Sequence, residues 1–313
     1  MLVLGSSRMM QVYPPQVDLL TGAGVGQTYN FTAPGCTPQD MLAELRFALA
    51  RGAPIKHVLI GVDDQAMFSN YDQSHETRIA AAPAVFRQLP ATEQLRIGAR
   101  LPAQVKPELT PSAIQSLIDP PDPRDMRLES ATTLILGDGY LIYPRRTMER
   151  RAKTWDPRRA LLRAINGMHD MGDRARLYPD GARISGRHMQ ALRDLLNLCR
   201  KRKIKVTAIL TPVQRDFAEL TLSPADRATF RDLSAQLRKL CRQYGAVYRD
   251  LSTIENFAGK EWEWINVTHP LTENVRRMVN VAYGKPPEFR LNEMPDDFSI
   301  LRNPPQVHSM NTP

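Results

Sequence analysis

Cysteine is scarce in this chain. Its 313 residues hold three, Cys36, Cys199 and Cys241, which are far apart, odd in number and without C-x-x-C spacing. That excludes a legible disulfide framework and a zinc site of ordinary spacing. The three are read as small, buried apolar side chains. Long apolar runs are missing too, since no stretch approaches the roughly 18 consecutive residues that cross a bilayer. The first residues also lack the basic region and apolar core of a secretory leader. Met1 opens instead directly into the apolar run Leu2-Val3-Leu4, so the expectation is a natural chain that starts upstream of it. Aromatic residues make up only 7%. They form no RRM-type signature, and no zinc-finger spacing accompanies them. The histidines His57, His75, His169, His188 and His308 form no metal-ligand grouping. Neither a metal nor an organic cofactor is expected.

What is present is ordinary globular material with a basic excess. Hydrophobic residues are 42%, charged residues 24%, and the formal net charge is +9. Such a balance attracts polyanions such as nucleic acid, acidic polysaccharide or lipid headgroups, without choosing among them. The densest basic stretch runs from Arg145 to Arg159 and is interrupted by Glu149 and Asp156. A solvated helical face is the simpler account, because long charged side chains mostly sit in water. Polyanion contact through this stretch stays open, while nucleic acid is not the expected partner.

Apolar runs alternate with amphipathic stretches in the order of a wound parallel sheet. Leu2 to Leu4 reads as a buried strand ending at Gly5, and Thr28 to Phe31 as a second. A helix follows, with Thr37-Pro38 at its start, Met41, Leu42, Leu45, Ala48 and Leu49 at helical spacing, and Gly52 as its stop. His57 to Val62 is a continuous apolar run typical of a strand buried on both faces. From about Gln65 to Gly186 the alternation is lost and prolines cluster. The pattern resumes with a helix carrying Met189, Leu192, Leu195, Leu196 and Cys199, then the strand Val206 to Leu210. A helix with Phe230, Leu233, Leu237 and Leu240 leads to Gly245 and then the strand Val247 to Leu251, and Leu271, Val275, Met278, Val279 and Ala282 mark a closing helix that stops at Gly284. The organisation is therefore residues 1–64 and 187–285 as two halves of one α/β domain, 65–186 as a mostly helical and irregular insertion, and 286–313 as a surface tail. Strands separated by helices need right-handed crossovers and pair in parallel. The expected fold is a three-layer αβα, flavodoxin-like doubly wound sheet.

In such sheets ligands bind beyond the carboxyl ends of the strands. The residues there are Gly5-Ser6-Ser7-Arg8, Asn30 to Gly35, Asp63-Asp64 and Thr211-Pro212-Val213-Gln214, with His269 just ahead of the closing helix. A serine in a Gly-led turn between strand and helix lies close to free N–H groups that can stabilise an oxyanion. It needs an imidazole to take its proton and an acceptor to hold that imidazole in the right tautomer. Simpler accounts stand beside this one. Ser6-Ser7 can cap a helix, His269 can be a structural histidine, Asn30 can serve a turn, and Arg8 can pair with Asp63 or Asp64 rather than with a substrate anion.

The ordered set Leu-Gly-Ser-Ser-Arg, Tyr-Asn-Phe-Thr-Ala-Pro-Gly, Val-Leu-Ile-Gly-Val-Asp-Asp and Asn-Val-Thr-His resembles the SGNH (GDSL-like) hydrolase superfamily. More narrowly, it resembles bacterial SGNH-like proteins of unassigned function related to cell-envelope acyl-transfer proteins. The resemblance spans nearly the whole chain and favours a site role for Ser7 and His269. It implies Ser7 as nucleophile, His269 as general base, and the N–H groups of Ser7 and Gly35 as oxyanion donors. Asn30, Asp63 and Arg8 are carried with them as oxyanion or substrate-binding candidates. Two positions depart from the family pattern. Asn266 stands where the late Asp-x-x-His motif has aspartate, so the imidazolium loses its charge partner unless Glu261, Glu263 or Asp250 substitutes. Asp63 stands where an oxyanion-binding asparagine is expected. The implied function is a serine-dependent ester hydrolase or O-acyltransferase acting on acyl esters of a cell-envelope glycan or other carbohydrate. The alternatives are an inactive SGNH-fold protein that binds a glycan or assembly partner, and a basic nucleic-acid-binding protein. Relatives imply a location outside the cytoplasm, at a membrane; a genuine start at Met1 implies the cytoplasm.

Overall fold

The computed structural model describes residues 1–24, 26–68, 134–135, 141–142, 181–261, 263–264 and 267–289. The core is a five-stranded parallel sheet made of β1 (Leu2–Leu4), β2 (Tyr29–Asn30), β3 (His57–Val62), β6 (Lys205–Leu210) and β7 (Val247–Asp250). A separate antiparallel pair, β4 (Leu134–Ile135) and β5 (Leu141–Ile142), lies between β3 and β6 in sequence. The sheet order is β2-β1-β3-β6-β7. With the pair set aside this is the flavodoxin-like order, whose direction reverses between β1 and β3. Leu4 is in register with Ile60, Val62 with Leu210 and Leu210 with Asp250, so these strands end along one common edge of the sheet.

Alternate side chains on a strand face opposite ways, and here both faces are apolar. Leu2, Leu4, Val58, Ile60, Val62, Val206, Ala208 and Leu210 pack against α2 (Pro38–Ala50), α3 (Gly186–Lys201) and α5 (Pro224–Gln243). Val3, Leu59 and Ile209 face α1 (Pro14–Thr21) and α6 (Thr272–Ala282) on the other side. The result is a three-layer αβα fold. Sequence-local chemistry sets the helix starts. Asp40 accepts from the Thr37 N–H at 2.7 Å with Pro38 in the first turn, Ser185 caps His188, and Ser223 and Asp226 form a reciprocal cap on α5. Cys199 and Cys241 lie in the first of the two cores, and burial pushes both thiols up to about 12.

Several local expectations need correction. No long helix starts at Ser7; a three-residue 3-10 turn, Ser7–Met9, stands there, and α1 begins only at Pro14. The loop after β6 contains a short helix, α4 (Arg215–Thr221), that the sequence pattern does not show. The flanks of the expected insertion belong to the core. Met67 and Phe68 are fully buried, and Phe68 forms a bridge with Ile184. The start of the tail is held, since Arg276 and Asn280 both donate to the carbonyls of Pro287 and Phe289. Most of the insertion, the Arg145 to Arg159 stretch and residues 290–313 lie outside the described residues. Among the described residues no helix is long and apolar enough to cross a membrane, and no group of His, Cys, Asp or Glu side chains could hold a metal ion.

Candidate functional site

Gly5 makes the exit from β1 possible. Its φ of +154° lies where side-chain-bearing residues rarely go, and a Cβ there would meet Met9 Cγ at 2.8 Å and the Gly61 carbonyl at 3.1 Å. The chain therefore turns tightly against β3 and enters the Ser7–Met9 turn. Ser6 caps that turn, because its Oγ accepts from the Arg8 N–H at 3.2 Å while its hydroxyl donates to the Asp63 carboxylate. Capping thus falls to Ser6. The hydroxyl of Ser7 is left to meet the ring of His269, with Oγ 2.7 Å from Nε2.

His269 reaches this point from 262 positions away on a loop pinned at several places. Trp264 and Pro270 form a bridge across the loop, and the Leu271 N–H donates to the Glu263 carbonyl at 2.9 Å. The Gln214 N–H, just past the end of β6, donates to the Val267 carbonyl at 2.9 Å. These bonds fix the loop to both the sheet edge and the start of α6. Nδ1 of His269 lies 3.0 Å from the hydroxyl oxygen of Thr268. Burial lowers the imidazole pKa from its ordinary value, Arg8 lowers it further, and Asp63 opposes them. These influences together favour the neutral ring, the form able to accept a proton.

Beneath the pair lies a buried charge network. Arg8 Nη1 donates to Asp64 Oδ1 at 2.6 Å and lies 3.4 Å from Thr211 Oγ1, and Arg8 Nε is 3.6 Å from Asp63 Oδ2. Thr211 donates to the other Asp63 oxygen at 2.5 Å. Arg8 is 3% exposed, so its guanidinium serves the two carboxylates below the surface rather than a substrate anion. Asp63 cannot donate to an oxyanion as an asparagine would, and both its oxygens are committed to Ser6 and Thr211.

The remaining candidates divide. Asn30 is buried and donates to the carbonyls of Met9, Met10 and Val12 at 3.0–3.2 Å, while its Oδ1 accepts from Thr32. That staples the segment after Ser7, and the amide hydrogens expected to face a substrate are spent there. Gly35, at φ +63°, sits in a turn closed by the Cys36 N–H on the Ala33 carbonyl. The same loop is tied to β1 by the Ala33 N–H on the Gly5 carbonyl at 3.2 Å. Asn266 lies outside the described residues. Of the three possible substitutes for its missing carboxylate, Asp250 is bonded to Ser234 and Ser252, and Glu261 to Arg215. Burial and the neighbouring Glu273 push Glu263 up to about 7, against Arg277 and Lys260.

No family model and no curated protein matches the chain. Among solved structures, a provisionally assigned acylhydrolase from Bacteroides fragilis is similar over 89% of this chain and 82% of its own, at 11% identity and a TM-score of 0.39. At that level it lends no weight to a function, and the chemistry has to come from this chain's own geometry. Sequence reasoning overlooked Thr268, the separate duty of Ser6, and the loop tie at Gln214. Only Thr268, directly before the histidine, carried a signal that could have been used.

Proposed function

We propose that the chain is a serine-dependent ester hydrolase or O-acyltransferase of the SGNH type. The observation that carries this reading is the 2.7 Å contact between Ser7 Oγ and His269 Nε2, beside the β1/β3 switch point where wound sheets bind ligands. Ser7 Oγ attacks the acyl carbonyl carbon as its proton passes to Nε2. The intermediate then collapses, and the imidazolium returns the proton to the departing alkoxide. Water or a sugar hydroxyl then gives its proton to Nε2 and attacks the acyl-serine carbonyl; the Oγ–acyl bond breaks, the proton returns to Ser7 Oγ, and the result is hydrolysis or acyl transfer respectively. The N–H groups of Ser7 and Gly35 are the proposed oxyanion donors, and the Thr268 hydroxyl orients the ring. The substrate class, acyl esters of an envelope glycan or other carbohydrate, is part of the proposal and follows from the family resemblance.

Asp63 in place of a donor favours a second reading, in which the same cleft binds a glycan or assembly partner without chemistry. A fluorophosphonate separates the two. The expected result is stoichiometric labelling of Ser7, abolished in His269→Ala and faster on the alkaline side of a midpoint below 6.5. The sign follows from the chemistry, because the base must be neutral and its pKa is lowered. Absence of labelling between pH 5 and 9 overturns the catalytic reading in favour of binding.

A further inference from the structure

Asn274 lies in the first turn of α6 and is completely buried. Its side chain reaches outside its own helix. Oδ1 accepts from the Lys260 N–H at 2.7 Å, and Nδ2 donates to the carbonyls of Lys260 and Glu263, each at 2.9 Å. One amide thus closes both ends of the stretch from which the His269 loop departs. The Glu263 carbonyl also accepts from Leu271, one residue ahead of α6. The helix is anchored by Val275, Met278 and Val279, which pack into the second core. The base of the loop is therefore tied to a well-packed helix through this one side chain, beside the backbone bonds at Leu271 and Gln214.

We propose that Asn274 is a positioning residue of the site, holding the base of the His269 loop so that Nε2 meets Ser7 Oγ. The inference rests on Ser7 and His269 being a reactive pair, yet it makes a claim about the imidazole that stands apart from turnover. The ring is partly buried and lies near Arg8 on the Ser7 turn and Asp63 just past the end of β3. Releasing the clamp lets water in and lets the ring drift from Arg8, so its titration moves back up toward the ordinary value. Asn274→Ala removes all three bonds. Asn274→Asp keeps the size and the acceptor for Lys260 but sets lone pairs against two carbonyls.

The test is histidine-ring NMR titration of the full chain, with His269 assigned by the peak lost in His269→Gln and folding checked by near-ultraviolet circular dichroism. In wild type His269 titrates below 6.5, and in both variants the midpoint rises. Ser7 labelling by fluorophosphonate falls between ten- and a hundredfold, the scale expected of a displacement near 1 Å. A merely structural asparagine would lower the melting temperature and leave the midpoint where it was. Should neither variant fold, amide exchange in wild type decides. The Lys260 N–H is expected to be protected to the level of α6, and exchange as fast as in an open loop overturns the clamp. Folded variants with an unmoved midpoint also overturn it. A midpoint that moves in a protein whose Ser7 is never labelled upholds the clamp and removes the catalytic reading instead.

Discussion

Ser6 and Ser7 are identical in type and adjacent in sequence, and the turn gives them opposite duties. Ser6 is 1% exposed and points into the Asp63 network, whereas Ser7 is half-buried and meets the imidazole. A Gly-Ser-Ser sequence marks the place but leaves open which hydroxyl caps, because that depends on the direction the chain takes after Gly5. Thr268 poses the next question at this scale. A hydroxyl within 3.0 Å of Nδ1 can hold the ring's orientation but brings no full charge. Thr268→Val keeps the branched shape and removes one neutral hydrogen bond, worth about 0.5–1.5 kcal/mol. The rate of Ser7 phosphonylation is therefore expected to fall about three- to tenfold, with the melting temperature nearly unchanged. A rate equal to wild type would deny Thr268 any orienting role. The Arg8 network was legible only in part. Arg8 pairing with Asp63 or Asp64 is readable from charge and position. That Thr211 and Ser6 complete it depends on strand register, which no short motif carries.

At the scale of elements, β3 and the Ser7 turn touch through a glycine. A Cβ placed on Gly61 would lie 2.2 Å from Met9 Cγ and 2.6 Å from Met9 Sδ. Met9 is fully buried, so its side chain has little room to retreat. Gly61→Ala is expected to destabilise the fold by roughly 1–3 kcal/mol through overpacking. It should also slow Ser7 labelling in the folded fraction, because the strain enters the turn that holds the serine. Urea unfolding and labelling measured on the same sample check both parts, and a stability loss with full reactivity would uncouple Met9 from the site. This packing also explains what the sequence disclosed. The interior strands β1, β3 and β6 read as apolar runs because both faces are covered, and α3 and α5 are long enough to show a stripe. The helices α1 and α4 have 8 and 7 residues, about two turns each, too few for a periodicity to emerge. The edge strand β7, Val247–Asp250, alternates exposed and half-buried positions and was found by its place after Gly245 rather than by hydrophobicity.

For the molecule as a whole, two ionisable groups far apart pull stability in opposite directions with pH. His57, at the start of β3, is lowered to about 4, chiefly by burial and then by Lys205 and the N-terminal amine. Between that value and its ordinary 6.5 the unfolded chain binds a proton that the folded chain refuses, so stability rises with pH. Glu263, at the base of the His269 loop, is raised from 4.5 to about 7 by burial and Glu273. Between those values the folded chain keeps a proton that the unfolded chain releases, so stability falls with pH. The windows overlap from 4.5 to 6.5, and after solvent screening each group contributes roughly 1–2 kcal/mol. The two largely offset one another, with half-buried His269 adding to the rising side. Glu263→Gln removes the falling limb, so its urea midpoint should climb more steeply from pH 4.5 to 6.5 than that of wild type. His57→Gln, which can still bond Thr207, should climb less steeply. Parallel profiles for all three proteins would show that neither group is desolvated in the folded chain. For Glu263 that result would also bear on the candidate site, since the loop that carries His269 would then be open to water at its base.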